Sequence, residues 1–333
     1  MSARRVENGK YLEFSQPSFR GTYMTSELKG DGKVKLNFYV EKQNQKETDG
    51  DGSVLILDHD NSRFFGRMYL TGAQSTSYGR TNPSLNRCST LYLTQPTSLG
   101  GPRPSFTFDA LKLDNYACLS PTVSMTLDDP TRGIYIWSSA TAQFMVPENV
   151  VFSVKEQVTY NGRLYKCGAG TLALGYGKRP KFGPAQAADP GSYMHQLAVA
   201  EGSFQPLDEL ATDGLEVSFS AGTKLVLDVA APTASGVGRY GMLLTKSSSS
   251  LTVDDTVALD FVNSTGLAQP ANKDVAICPI CTLASKAAAE ALVSKFTFDR
   301  GAVLPYTGKY TYRVKDLTVG DNGDGTFTYR PGV

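Results

Sequence analysis

The chain has 333 residues, 41% hydrophobic and 20% charged, which is the composition of one large or two ordinary folded domains and not of a disordered chain. Thirty-three basic residues against 32 acidic ones leave a formal charge of +1. That excludes the basic excess by which nucleic-acid binders neutralise phosphates, and no run of eighteen apolar residues exists to cross a membrane as a helix.

In chain order, the start MSARRVENGKYLEF places two arginines before no apolar stretch, so a secretory signal is not expected. Lys33 to Val40 then alternates polar and apolar residues, as a strand with one wet face does. Ser53 to Leu57 and Arg67 to Leu70 are short apolar runs bounded by turn residues. Ile134 to Trp137, Gln143 to Val146 and Val150 to Val154 continue the pattern, as do Leu215 to Phe219, Lys224 to Val229 and Tyr240 to Leu244. The stretch from Ala284 to Lys295 (ASKAAAEALVSK) is the one convincing helix, and Lys309 to Val314 and Thr326 to Tyr329 close the chain as strands. With 32 glycines and 17 prolines punctuating these runs, the expected class is all-β: antiparallel β-sandwich or barrel domains with long loops and one short helix near 284–295. The expected division is a β-rich N-terminal domain, 1–156, and a β-rich C-terminal domain, 157–333.

Two Gly- and Pro-rich segments, Gln95 to Pro104 and Gly175 to Gly191, read as exposed loops or linkers. The second carries Lys178, Arg179 and Lys181, which are either solvated or a joint to an acidic neighbour. Asp49-Gly50-Asp51-Gly52 and Asp321-Asn322-Gly323-Asp324-Gly325 imitate calcium loops but lack the 1, 3, 5, 12 ligand spacing, and sit better as hairpin turns.

The chemistry-bearing residues are sparse. The five cysteines are an odd number at spacings that suggest no disulfide framework, and Cys278-Pro279-Ile280-Cys281 lacks the βαβ context of a redox pair. His59 and His195 have no metal-ligand spacing to each other or to that pair. No GxSxG, P-loop, GxGxxG or HExxH motif occurs, and the pairs Asp128-Asp129 and Asp254-Asp255 fall in turn-like segments where Asp is a cap or solvated surface. No enzyme, cofactor or metal site is therefore expected. A hydrolase whose acids are brought together only by the fold remains the third alternative.

Residues 158–168, VTYNGRLYKCG, read as a hairpin around Asn161-Gly162. The pattern V-x-Y-N-G-x-x-Y-x-C resembles hairpins of phage tail and fibre proteins and of some carbohydrate-binding modules. The resemblance makes Tyr160 and Tyr165 the ligand-stacking candidates; packing across the hairpin is the plainer role for both. The wider style, a long, nearly neutral, Ser/Thr/Gly-rich β chain with extended loops, resembles a bacteriophage or viral virion structural protein: tail tube, capsid decoration or coat subunit. That resemblance implies a non-enzymatic protein located in the virion, whose partners are copies of itself or other virion proteins, with no membrane and no sequence-specific nucleic acid. The alternative is a carbohydrate- or receptor-binding β-module.

Overall fold

Consecutive strands of this chain seldom pair with each other. Each turns a corner into a different sheet, and pairing follows one coil later. The computed structural model describes residues 2–6, 11–16, 22–30, 35–40, 54–72, 89–114, 116–137, 141–175, 196–207, 215–228, 251–262, 281–283, 285–298, 303–304, 312–313, 317–321 and 327–331. Two units result, the first described through Gly170 and the second from Thr171.

In the first unit, one sheet, here sheet A, is ordered β1 (Ser2–Val6), β2 (Tyr11–Gln16), β4 (Lys35–Val40), β6 (Arg67–Thr71), β8 (Thr107–Asp114), β11 (Arg132–Ile136) and β14 (Gln157–Tyr160). Sheet B is ordered β3 (Thr22–Met24), β5 (Val54–Leu57), β7 (Ser89–Leu93), β9 (Ala117–Pro121), β12 (Thr141–Met145) and β15 (Arg163–Cys167). A third face pairs β10 (Met125–Leu127) with β13 (Val151–Val154). The chain visits these faces in rotation: β6, β7, β8 and β9 alternate between A and B, after which β10 and β13 add a third side to each coil. This is a parallel β-solenoid, in which, β1 and β2 apart, each neighbour is a strand from an adjacent coil.

The second unit repeats the principle. Strands β16 (Thr171–Leu174), β18 (Ser203–Pro206), β20 (Lys224–Asp228), β22 (Val257–Val262) and β24 (Phe296–Thr297) form one parallel sheet, and β17 (Gln196–Val199), β19 (Glu216–Phe219) and β21 (Leu251–Val253) another. It ends in antiparallel pieces. β28 (Phe327–Pro331) lies between β23 (Cys281–Leu283) and β27 (Leu317–Asp321), and β25 (Val303–Leu304) pairs with β26 (Tyr312–Arg313). Helix α1 spans Lys286–Val293.

The expected antiparallel sandwich or barrel is thus overturned: strands predominate, but the large sheets are parallel except where β1 meets β2. The alternating pattern reports which face of a strand is wet and is silent on strand direction. Direction is set by the connections. Asn161-Gly162 shows how the misreading arises, because β14 belongs to sheet A and β15 to sheet B, so the pair is a corner and no hairpin forms. A type I′ hairpin turn needs positive φ at both central residues. Among the described residues, positive φ occurs at Tyr116, Asn149, Gly100, Gly168, Gly202 and Gly222, and at neither Asn161 nor Gly162. The Asp321 segment behaves otherwise: β27 and β28, which flank it, are an antiparallel pair.

Inward side chains stack in register from coil to coil. Leu36, Met68, Leu111, Ile134 and Val158 form one column in sheet A, and Phe38, Leu70, Leu113, Ile136 and Tyr160 the next, none more than 3% exposed. Each such side chain contributes about 1.5–3 kcal/mol by burial. The partners in the first column are separated by 23 residues (Leu111 to Ile134) and 24 (Ile134 to Val158), yet by 43 between Met68 and Leu111. A column in the second unit, Leu172, Phe204, Leu225 and Leu259, is built the same way.

Corners are held by polar side chains that bridge successive coils. Asn61, 1% exposed, accepts from the Leu28 amide at 2.9 Å and donates to the Ser98 carbonyl at 2.8 Å. Just before β6, β8, β11 and β14, a buried charged cluster stacks. Arg132 Nε lies 2.9 Å from both Glu156 oxygens, its Nη2 donates to Oε1 at 2.6 Å, and its Nη1 donates to the Gly100 carbonyl at 3.0 Å. Arg103 Nη2 donates to the Gly66 carbonyl at 2.6 Å and faces Asp129, whose carboxylate accepts from the Thr131 amide and hydroxyl. Asp129 is therefore the turn cap expected of it, but a buried one. Burial pulls the Arg103 guanidinium down to about 10, with the Arg132 charge adding to the effect, so it stays charged at neutral pH. Burial also pushes the Glu156 carboxyl up, against the Arg132 guanidinium that pulls it down.

Candidate binding face

The outward column beside these cores is different in kind. Tyr69, Lys112, Tyr135 and Thr159 are register partners on β6, β8, β11 and β14. A bulge in β8 reshapes the face at its start: Arg132 pairs with Thr107 and Ile134 with Leu111, so four residues oppose two. The bulge leaves Phe108 47% exposed. It also brings the Phe108 backbone against Gly133, where an added Cβ would lie 2.4 Å from the Phe108 carbonyl oxygen and 2.6 Å from its Cα. Only glycine fits there.

From Phe108 a row of rings runs along β11. The Phe108 and Tyr135 centroids are 5.4 Å apart at 69°, and those of Tyr135 and Trp137 5.6 Å apart at 84°, both edge-to-face as the ring quadrupoles favour. Tyr135 is 7% exposed and Trp137 43%. The Tyr135 hydroxyl accepts from Asn161 Nδ2 at 3.2 Å, so the corner after β14 fixes the middle ring. Lys112 Nζ sits 3.6 Å from the Trp137 ring centre and 5.3 Å from that of Tyr69, an ammonium held between two aromatic faces.

The charges around the row are matched. The Tyr69 hydroxyl donates to Asp109 Oδ2 at 2.7 Å while Arg67 Nε stands 3.1 Å from Oδ1, and Lys112 Nζ lies 3.9 Å from Asp114. Two cations meet two carboxylates. Partial burial, then the bond to Asp109 and its charge, push the Tyr69 phenol up to about 12, so at neutral pH it remains a donor. Chemically the face offers exposed aromatic surface beside hydrogen-bonding groups, with no strong field of either sign. Among the described residues no group of three or more His, Cys, Asp or Glu is placed to hold a metal.

The residues singled out from sequence are elsewhere. Tyr160 is 3% exposed and ends an inward column of sheet A, whereas Tyr165 lies on β15 in sheet B, where its hydroxyl accepts from Arg163 Nη1 at 3.0 Å. The fold does not bring them together. Lys178, Arg179 and Lys181, like His195 and Cys278, lie outside the described residues. Cys118 and Cys167 are buried, and burial pushes the Cys118 thiol up to about 12, which keeps it unreactive. Asp254 and Asp255 are exposed, and His59 Nδ1 lies 3.0 Å from the neighbouring Asp60 carbonyl.

Sequence reasoning passed over Phe108, Lys112, Tyr135 and Trp137. One signal was available: in Ile134-Tyr135-Ile136-Trp137 the period of two puts both isoleucines on one face and both aromatic rings on the other. No protein-family model matches this chain, and no curated protein or solved structure matches it either.

Proposed function

We propose that this chain is a non-enzymatic glycan-binding protein whose binding face is the outer surface of sheet A around β11. The observation that carries the reading is the row Phe108–Tyr135–Trp137, two exposed rings flanking a fixed one on a rigid parallel sheet. The flat C–H faces of pyranose rings pack on such aromatic surface, and the hydroxyls at their edges need donors and acceptors of the kind Asp109, Lys112 and Asp114 supply. Aromatic anchors with a polar surround are also where binding energy concentrates at recognition surfaces generally.

Trp137 is the only tryptophan among 17 tyrosines, so tryptophan emission, excited selectively at the red edge, reports this face. Titration with a panel of soluble oligosaccharides is expected to shift or quench that emission saturably, with the response to the longer oligosaccharides weakened in Phe108→Ala. An unchanged spectrum across the panel, together with rings, tubes or shells in light scattering and electron microscopy of the same sample, would replace this reading with that of a self-assembling structural subunit.

A further inference from the structure

The geometry points to a specific ligand class for this face, an inference that rests on the glycan-binding reading: an uncharged, linear oligosaccharide of at least three sugar units, lying along β11 and not along the stack of coils. Orientation follows from the aromatic row. Phe108 and Trp137, the two exposed platforms, lie at opposite ends of β11: Gly133 abuts Phe108, and the Trp137 amide donates to the Leu113 carbonyl at 3.0 Å near the end of β8. Gly133, which abuts Phe108, and Trp137 are four residues apart, about 13 Å along the strand. The 5.4 Å and 5.6 Å distances from the Tyr135 ring cap the separation of the two platforms at 11.0 Å, so they stand near that limit. A disaccharide stacked on one platform does not lay a sugar ring on the other as well. A third unit does.

Along the coil stack, by contrast, the outward column offers no second exposed platform. Next to Tyr135 come Lys112 on one side and Thr159 on the other, and the Lys112 ammonium is already held between Tyr69 and Trp137. Charge selects the chemical class. Arg67 is matched by Asp109 and Lys112 by Asp114, so an acidic sugar finds no uncommitted cation among these four and meets two carboxylates. Neutral hydroxyls are accepted by the same groups without displacing an ion pair.

The test uses the full chain, with Trp137 emission and calorimetry as readouts. Probes are neutral β-linked glucose and N-acetylglucosamine oligomers of two to six units, and uronic-acid and sialylated oligomers of the same lengths. The inference expects an affinity step of about ten-fold between two and three units, little gain beyond four, and neutral oligomers bound at least about ten-fold more tightly than acidic ones. Phe108→Ala should abolish the length step of about ten-fold, and a cooperative denaturant transition retained in the same variant separates that loss from a general loss of folding. Saturable binding of acidic oligomers alone, or neutral binding with no length step, would overturn the inference and leave the glycan-binding reading standing. Binding of no oligomer at any length would overturn both.

Discussion

Two clusters of the first unit use the same residue types to opposite ends. In the corner before β11 and β14, the side chains of Arg103, Asp129, Arg132 and Glu156 are 3%, 8%, 3% and 0% exposed, Arg132 donates to Glu156 and the Gly100 carbonyl, and Arg103 donates to the Gly66 carbonyl. On the outer face of sheet A, Arg67, Asp109, Lys112 and Asp114 make looser pairs among aromatic rings, with Arg67 and Asp109 side chains 36% and 11% exposed. The first cluster closes the coil by satisfying corner carbonyls that a buried backbone would otherwise leave orphaned. The second leaves rings and polar edges open to a ligand. Charge content alone does not separate structure from recognition; what separates them is whether the partners are backbone groups in a corner or side chains on an open sheet.

The comparison is broken most severely at Glu156. Glu156→Ala strands the Arg132 guanidinium in a buried corner and should cost about 3–5 kcal/mol in denaturant unfolding, because an unpaired buried charge keeps its desolvation penalty. A cost near zero would mean the corner is not a structural keystone. Gly133→Ala comes next. Its Cβ meets Phe108 backbone, and a loss of about 1–3 kcal/mol is expected together with altered Trp137 emission, because the bulge that presents Phe108 must shift.

Tyr69→Phe removes a bond to a charged acceptor and should cost about 1 kcal/mol, reduced by solvent because Tyr69 is only partly buried. Its pH dependence has a definite sign. The folded phenol is raised to about 12 from 10.0, so its contribution is fully present below pH 10 and is lost as pH rises through about 12. Spectroscopic titration should show one fewer late-ionising tyrosine in Tyr69→Phe than in the native protein, burial raising Tyr92 as well. Lys112→Met gives the smallest effect, about 0.5–1 kcal/mol from the lost ammonium–ring contacts, but the clearest optical one, since Trp137 loses the cation 3.6 Å from its ring. An unaltered emission maximum in that variant would show that the contact is not made in solution.

How much of this was legible beforehand differs between strands and their arrangement. β4, β5, β13 and β19 lie inside runs read from the sequence as strands, and β6 and β11 overlap such runs, since a strand with one side in the core and one in water writes a period of two whatever its partners are. β8 was not legible. TFDALKLD carries a bulge after its first residues, so its apolar positions change phase at Ala110-Leu111. The candidate face was half legible, in the Tyr135 and Trp137 alternation, while Phe108 reaches it only through that bulge.

Composition and local pattern by themselves determined a β protein with one short helix, no excess charge, no helical membrane span and no catalytic motif. Only the tertiary structure decided that the sheets are parallel, that Asn161-Gly162 is a corner, that Tyr160 belongs to the core and that Trp137 stands beside Lys112. The physical reason is the spacing of partners. Side chains that stack in one column are 23 or 24 residues apart in some coils and 43 in another, with corners and loops of unequal length between them. No fixed period is left in the chain to reveal the coil, and the pairing becomes definite only when the columns close into a common core.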